Sequence, residues 1–307
     1  MWVTIMINGK GKKALITGSH GFVGSKFCER LFNTGWEIAL VDIADTLNPI
    51  DARDFFRYDN THYDLVVHLA AVVGGRVTIE GAPLSVAVDL AIDSEAFQWA
   101  LRTKPKHFVY YSSSAAYPIA YQEEYDGLFK NDCRLKEDYI DLDDISNPDL
   151  TYGWSKLTGE MLARHAQNEG IRVHVFRPFS GYGTEQALGY PFPDFLDRAR
   201  RKVPVFDIWG TGEQTRDWIH IDDIVSATMD AIEQDVQGPV NLCSGIPTNF
   251  NELADMVTEA AGYTPEFNHI LSAPKGVHYR VGDPTKMNTF YTPKISIEEG
   301  IYRALQN

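Results

Sequence analysis

Three short runs carry residue types and spacings suited to oxidation at a hydroxyl-bearing carbon. Tyr152–Gly–Trp–Ser–Lys156 sets a phenol and an ammonium four positions apart. On a helix such positions share a face, so the ammonium can stand beside the phenol and stabilise its ionised form. A phenolate held this way can take the proton of an alcohol while hydride leaves the adjoining carbon. Gly18–Ser–His–Gly21–Phe–Val–Gly24 has the spacing GxxGxxG. Glycine is needed where a chain turns sharply and where backbone must approach a pyrophosphate, and a helix opening there adds unpaired N–H groups and a positive dipole end. Asp42 lies 18 residues beyond Gly24. A carboxylate there accepts hydrogen bonds from a ribose diol and repels a 2′-phosphate, which favours NAD over NADP. In the third run, Ser112–Ser113–Ser114, a hydroxyl can hydrogen-bond a reacting oxygen.

The elements around these runs are those of a nucleotide fold. Residues 14–17 read as a buried strand leading into the glycines, Phe22–Asn33 as a helix ended by Gly35, and Glu37–Val41 as a second strand closed by Asp42. Further strands are expected at 64–69 and 107–111 with a helix over 83–101 between them. Strands separated by helices pair in parallel through right-handed crossovers, so the expected class is α/β with a doubly wound, Rossmann-like parallel sheet. The serine run then ends a strand, where parallel sheets line their ligand crevice. Between 117 and 148 the pattern gives way to a polar stretch with clustered acids (Glu123–Glu124, Glu137–Asp138, Asp141, Asp143–Asp144), read as solvated surface. A helix follows over 151–168 and a strand over 171–176. Beyond Arg177–Pro178 proline and glycine become frequent, which implies a smaller domain of interleaved pieces. The expected division is 1–177 and 178–307, with some later segments returning to the first domain.

Composition removes several classes of function. The 307 residues are 44% apolar and 23% charged, enough for a real core in one large or two medium domains. A net charge of −14 sets a repulsive field against nucleic acid and anionic membrane. Cys28, Cys133 and Cys243 are odd in number and form no CxxC, so neither a disulfide framework nor a cysteine-based metal site is indicated, and no metal is expected. No apolar run approaches the ~18 residues of a membrane span. A reducing cytoplasm is the expected compartment.

Read in order, ITGSHGFVG, VVHLAA (66–71), FVYYSSSAAYP (108–118), YGWSK, FRPFSGYG (176–183), TRDWIHIDDI (215–224), NLCSG (241–245) and YRVGDPTK (279–286) resemble the extended short-chain dehydrogenase/reductase family, in particular its nucleotide-sugar epimerases, reductases and dehydratases. The resemblance spans 13–304. It implies that Gly18, Gly21, Phe22, Val23 and Gly24 hold the pyrophosphate of NAD, Asp42 the ribose, Asp51–Ala52 the adenine edge, and Leu69, Ala70 and Ala71 the middle of the cofactor. Ile43, Asp89, Ser112 and Pro178 complete that set. It makes Tyr152 and Lys156 the catalytic pair, with Ser113 as the active hydroxyl. Arg216 and Arg280 match arginines that clamp the diphosphate of a nucleotide-diphosphate sugar, and Arg76, Ser114, Ser180 and Trp209 join them in the substrate site. Asp89 stands where the family usually has Asn, and Ser180 where it has Asn in RPxNxYG. A homodimer is implied through the helices 83–101 and 151–168, burying Val88, Ile92, Leu157 and Leu162.

The positions after Ser113 separate the family's reactions. Dehydratases place an Asp and a Glu there, and this chain has Ser114 and Ala115. Members that epimerise at C3 and C5, whose Val-Gly-Gly loop resembles Val73–Gly74–Gly75, place a cysteine base where Ala115 sits. Epimerisation at C4 needs only Ser, Tyr, Lys and NAD and is the expected reaction. Three alternatives stay open: a 4-keto reductase; a 3(5)-epimerase with its base on the Arg76 loop or the 184–191 loop, which offers Glu185 and Tyr190; and a nucleotide-sensing regulator, although such proteins tend to lose the Tyr and Lys.

Overall fold

A computed structural model describes residues 9–84, 86–123 and 133–306. Its first half alternates strand and helix: β1 (Lys13–Thr17), α1 (Phe22–Asn33), β2 (Glu37–Val41), α2 (Ala52–Tyr58), β3 (Leu65–His68), α3 (Arg76–Gly81), α4 (Ala87–Thr103), β4 (Phe108–Tyr111), α5 (Leu150–Asn168) and β5 (Val173–Pro178). The second half holds β6 (Ser180–Tyr182), α6 (Pro191–Arg200), β7 (Val205–Trp209), β8 (Thr215–His220), α7 (Ile221–Glu233), β9 (Val240–Leu242), β10 (Pro247–Asn249), α8 (Phe250–Ala260), β11 (Glu266–Ile270), β12 (Tyr279–Arg280) and α9 (Ile297–Gln306).

Six strands form one parallel sheet in the order β2-β1-β3-β4-β5-β9. Every residue of β3 and β4 is buried, as a sheet covered on both faces requires. One face packs on α1 and α7 through Phe27, Leu31, Ile224 and Val225. The other packs on α2, α4 and α5 through Phe56, Phe97, Trp99 and Ala163. The fold is therefore a doubly wound, Rossmann-like α/β sheet. Strands β10, β8 and β12, with β6 beside β8, make a smaller sheet, and β11 pairs with β7. Around these lies a further core of Phe192, Phe195, Phe206, Trp218, Leu253 and Ile301.

Helix α1 and strand β2 have the bounds their sequence pattern implies. Two helices were not legible. Asp51 accepts a hydrogen bond from Arg53 N and so caps α2, a helix of one apolar stripe whose short pattern resembles a loop. The 83–101 helix in fact begins at Ala87, preceded by the short α3, and runs to Thr103, where Lys104 takes a left-handed turn with φ 51°. Ile92 and Leu157 are buried within this chain, at 8% and 2% exposure, so they are spent on its own core and unavailable to a partner. Residue 124 and its neighbours to 132 in the acidic stretch lie outside the described residues. Among the described residues no helix is long and apolar enough to cross a membrane, and no group of three or more His, Cys, Asp or Glu could hold a metal.

The strand ends are locked by a buried ion pair. Arg177, on β5, reaches Glu160 on α5 with Nε at 2.9 Å and Nη2 at 2.7 Å, and both side chains are 1% exposed. Ser112 Oγ donates to the same carboxylate, and Arg177 Nη1 donates to Tyr117 Oη at 3.1 Å. Glu160→Gln leaves the Arg177 cation buried without a counter-charge and is expected to cost about 3–5 kcal/mol of stability, with most of it recovered when both residues become Met. Urea denaturation measures both, and a Glu160→Gln variant as stable as wild type would contradict the assignment.

Candidate active site

The glycine run turns as its spacing demands. Gly18 has φ 71°, and a Cβ there would stand 2.8 Å from Leu69 C and 2.9 Å from Ala70 N; one on Gly24 would meet Gly18 O at 2.0 Å. Beyond this turn α1 begins without a side-chain cap and without an acid in its first turn, so its positive end is uncompensated. Phe22 and Val23 open the helix, and Asp42 closes in from β2, its carboxylate accepting from His20 N and Ala44 N, both at 2.8 Å. Ile43 beside it is 73% exposed. The backbone after β3 is fixed by Thr17, whose Oγ1 accepts from Leu69 N and Ala70 N at 3.2 Å each; Ala71 follows. Asp89 is fully buried, with Oδ1 accepting from Val72 N at 2.5 Å and Oδ2 without a hydrogen-bond partner among the described residues. Burial pushes its carboxyl up to about 6 against the pull of Lys156. Asp51 pairs with Arg53 and caps α2, and Ala52 beside it lies in the core.

Beside this runs a cleft of about 330 Å³. Ser113 and Tyr152 line it, with Arg76, Arg216, Arg280, Ser180 and Trp209. The serine run is resolved by exposure. Ser112 is buried and donates to Glu160, Ser114 is buried, and Ser113 alone is half-exposed. Ser113 Oγ accepts from Ala115 N at 3.0 Å, which leaves its proton free for another acceptor. Helix α5 lies against this turn and against β4 because it carries glycine at both contacts: a Cβ on Gly153 would stand 2.4 Å from Ala115 O, and one on Gly159 would stand 1.8 Å from Tyr110 Oη of β4. Pro178 ends β5 beside it.

Lys156 is buried, with Nζ 5.8 Å from the Tyr152 ring centre and 5.6 Å from that of Tyr110. Burial opposes its charge, but Tyr152, Asp93 and Asp89 outweigh burial and hold the ammonium above its ordinary range. A chain of contacts not foreseen from the sequence supports it: Thr17 Oγ1 to His68 Nδ1 at 2.8 Å, His68 Nε2 to Asp93 Oδ1 at 3.1 Å, and Tyr110 Oη donating to Asp93 Oδ2 at 2.8 Å.

Asp149 and Gln122 gather the arginines. Arg76 Nη1 donates to both Asp149 oxygens, at 2.9 and 3.0 Å, and its Nε pairs with Glu80. Arg280 Nη2 donates to Asp149 Oδ2 at 2.8 Å and its Nε to Gln122 Oε1 at 2.5 Å. Arg216 lies over Phe250, 5.5 Å from the ring centre, and makes no ion pair among the described residues. Burial pushes Arg216 down to about 9, helped by repulsion from Arg280 and Arg76. Burial works against the Asp149 charge, yet Arg280 and Arg76 hold its carboxyl below the usual range. Two buried polar atoms of the cleft residues, Gln186 Oε1 and Trp218 Nε1, have no hydrogen-bond partner among the described residues. Neither was foreseeable, since no spacing in the sequence connects them to the motifs.

The alternative bases fall on different ground. Glu185 is paired with Lys26 at 3.0 Å and does not line the cleft. Tyr190 does line it, and burial pushes its phenol up. Gly75 and Gly189 bring the two loops together, since a Cβ on Gly75 would stand 2.2 Å from Gly189 O.

The uncapped α1 terminus, the crowded glycine turn, Asp42 and the orphaned Asp89 oxygen together fit NAD. The chain matches the NAD dependent epimerase/dehydratase family over residues 14–243. A dTDP-4-dehydro-6-deoxy-D-allose reductase of Streptomyces bikiniensis is 28% identical, across 91% of this chain and 90% of its own. A GDP-mannose 3,5-epimerase of Arabidopsis thaliana is also 28% identical, across 94% of this chain and 80% of its own. The solved UDP-glucose 4-epimerase of Thermotoga maritima, with UDP-glucose, shares the fold at a TM-score of 0.80 and 24% identity, across 96% of this chain and 97% of that one. The protein therefore belongs to the NAD dependent epimerase/dehydratase family and uses NAD as its cofactor.

Proposed function

We propose that the protein is a nucleotide-sugar 4-epimerase that works through a transient 4-keto sugar. One observation carries the reading: Ser113 and Tyr152 open onto the same cleft as Arg76, Arg216 and Arg280, with Arg198 also in its lining, while the neighbouring position where the resemblance would put a carbon base is Ala115. Guanidiniums suit a diphosphate because their planar forks bind its oxygens in pairs. The relatives' names, which join UDP, GDP or dTDP to a sugar, point the same way. In this reading residues 1–177 hold NAD and the catalytic groups, and 178–307 mainly hold the nucleotide sugar. The same reading carries a homodimer through α4 and α5, where Leu90, Leu101 and Trp154 are exposed.

When bound, NAD supplies an acceptor and donor of hydride. Gly18, Gly21 and Gly24, with Phe22, Val23 and the α1 terminus, would hold its pyrophosphate, and Asp42 its ribose. Tyr152 Oη takes the proton of the sugar's C4 hydroxyl and later gives it back, acting as base and then acid. Lys156 keeps positive charge beside the phenolate, and Ser113 Oγ donates its free proton to the reacting oxygen. Arg76, Arg216 and Arg280 hold the diphosphate while the keto sugar turns. Gln186 Oε1 and Trp218 Nε1 offer an acceptor and a donor to a polar ligand. The Val73–Gly74–Gly75 loop and the similarity to a GDP-mannose 3,5-epimerase favour a 3(5)-epimerase, but of the two bases that reading could use only Tyr190 lines the cleft, and burial pushes its phenol up, away from the carbanion-forming base such chemistry needs.

Denaturing the purified protein and identifying the released nucleotide is expected to give NAD; NADP alone would overturn the role of Asp42. Tyr152→Phe removes the acid/base and keeps the ring, so turnover of a UDP-, GDP- or dTDP-sugar is expected to fall by ~10² to 10⁴ with binding retained. A Tyr152→Phe enzyme with wild-type turnover would overturn the mechanism.

A further inference from the structure

Asp149 joins the two halves of the cleft. Its carboxylate, 6% exposed, is held by Arg76 and Arg280. Its main chain is committed to the catalytic side: Asp149 N donates to Ala115 O at 2.9 Å, and Asp149 O accepts from Gly153 N at 2.9 Å. Ala115 N in turn donates to Ser113 Oγ. Asp149 also occupies the N-cap position of α5, three residues ahead of Tyr152, yet its side chain makes no capping hydrogen bond. An aspartate there ordinarily accepts from the second or third helical N–H, here Thr151 or Tyr152. The next residue, Leu150, has φ 54°, a left-handed conformation that a side chain disfavours. The start of the catalytic helix is thus strained and uncapped, with its natural cap drawn away by two arginines.

We propose that Asp149 is a positioning residue: an internal anion that holds Arg76 and Arg280 toward the cleft until a nucleoside diphosphate replaces it, and that then caps α5 at the Tyr152 N–H. This rests on the reading that these arginines take the substrate's diphosphate. The exchange is favourable for both partners. A diphosphate offers several charged oxygens to three guanidiniums that Asp149 does not fully satisfy: Arg76 also pairs with Glu80, and Arg216 has no ion pair among the described residues. The released carboxylate moves to the positive end of α5, where an acid is stabilised. Diphosphate binding and the setting of the tyrosine thereby become one event, with remote binding energy used at the reacting centre.

The test uses the NAD-loaded protein, titrated calorimetrically with UDP, GDP and dTDP. Asp149→Ala removes both the competing anion and the cap. It is expected to bind the diphosphate that wild type prefers several-fold more tightly and to turn over its sugar several-fold more slowly. Asp149→Asn, which lacks the charge but can cap, is expected to keep the tighter binding and recover part of the lost kcat. A purely structural aspartate would instead weaken binding in both variants, and that result overturns the proposal. A crystal structure of wild type with the diphosphate needs no variant. It is expected to have Asp149 turned from Arg280 toward Tyr152 N, and an intact Asp149–Arg280 pair beside bound diphosphate overturns the exchange. Wild type that binds none of the three diphosphates overturns the diphosphate reading of the cleft and the proposal with it.

Discussion

The rotation of α5 is the constraint on which the site depends, and the Arg177–Glu160 pair sets it. Tyr152, Lys156 and Glu160 follow one another at four-residue steps and so form one stripe of the helix. With Glu160 drawn inward by a doubly bonded guanidinium at the end of β5, the stripe cannot roll. Lys156 is left in the protein interior, and Tyr152, one turn earlier, at the cleft. Two ions this deep are costly to desolvate, and the cost is offset only because nearly every polar atom is used. Ser112 donates to Glu160, Arg177 donates to Tyr117 Oη and to Glu137 O, and Tyr117 Oη donates to Asn241 Oδ1 at 2.7 Å. Because Asn241 belongs to β9, one network ties the turn after β4, α5, β5 and a segment from the far half of the chain.

The cleft is built from residues with opposite demands. The cofactor side is backbone-rich and needs small residues, which is why Gly18 and Gly24 sit where any Cβ would collide. The arginine side is charge-rich, and three guanidiniums this close repel one another unless an anion sits among them. Asp149 is the anion that pairs with two of them, with Glu80 beside Arg76 and Glu123 close by, and its place at the head of α5 makes the charge balance of one side a property of the helix that serves the other.

What the sequence made legible follows the distance over which its signals act. The glycine turn, Asp42, the Tyr–Lys stripe and the bounds of α1 and β2 are local patterns and were readable. Among the three serines the residues by themselves were silent and only the family resemblance pointed to Ser113, because the physical distinction rests on Glu160 claiming Ser112 from 48 residues away. Asp149 was invisible as a counter-ion because its partners lie 73 and 131 residues distant. His68 and Asp93, 25 residues apart, look like a strand end and a helix position until the fold brings them under Lys156. Helices α2 and α3 were missed because six or seven residues give too few turns for a periodic signal. The dimer residues expected at Ile92 and Leu157 failed for the opposite reason: an apolar helix position does not reveal whether its own chain has already covered it.

The central claim, hydride chemistry at C4 without a carbon base, is tested most directly by incubating the enzyme with a panel of nucleotide sugars in D₂O and following the sugar ring by proton NMR. If Ser113, Tyr152 and Lys156 perform the reaction, C4 inverts without added cofactor and the product carries no deuterium on ring carbon, because the hydrogen that leaves is the hydrogen that returns. Deuterium at C3 or C5 would contradict the account, since only deprotonation of carbon can exchange that hydrogen with solvent.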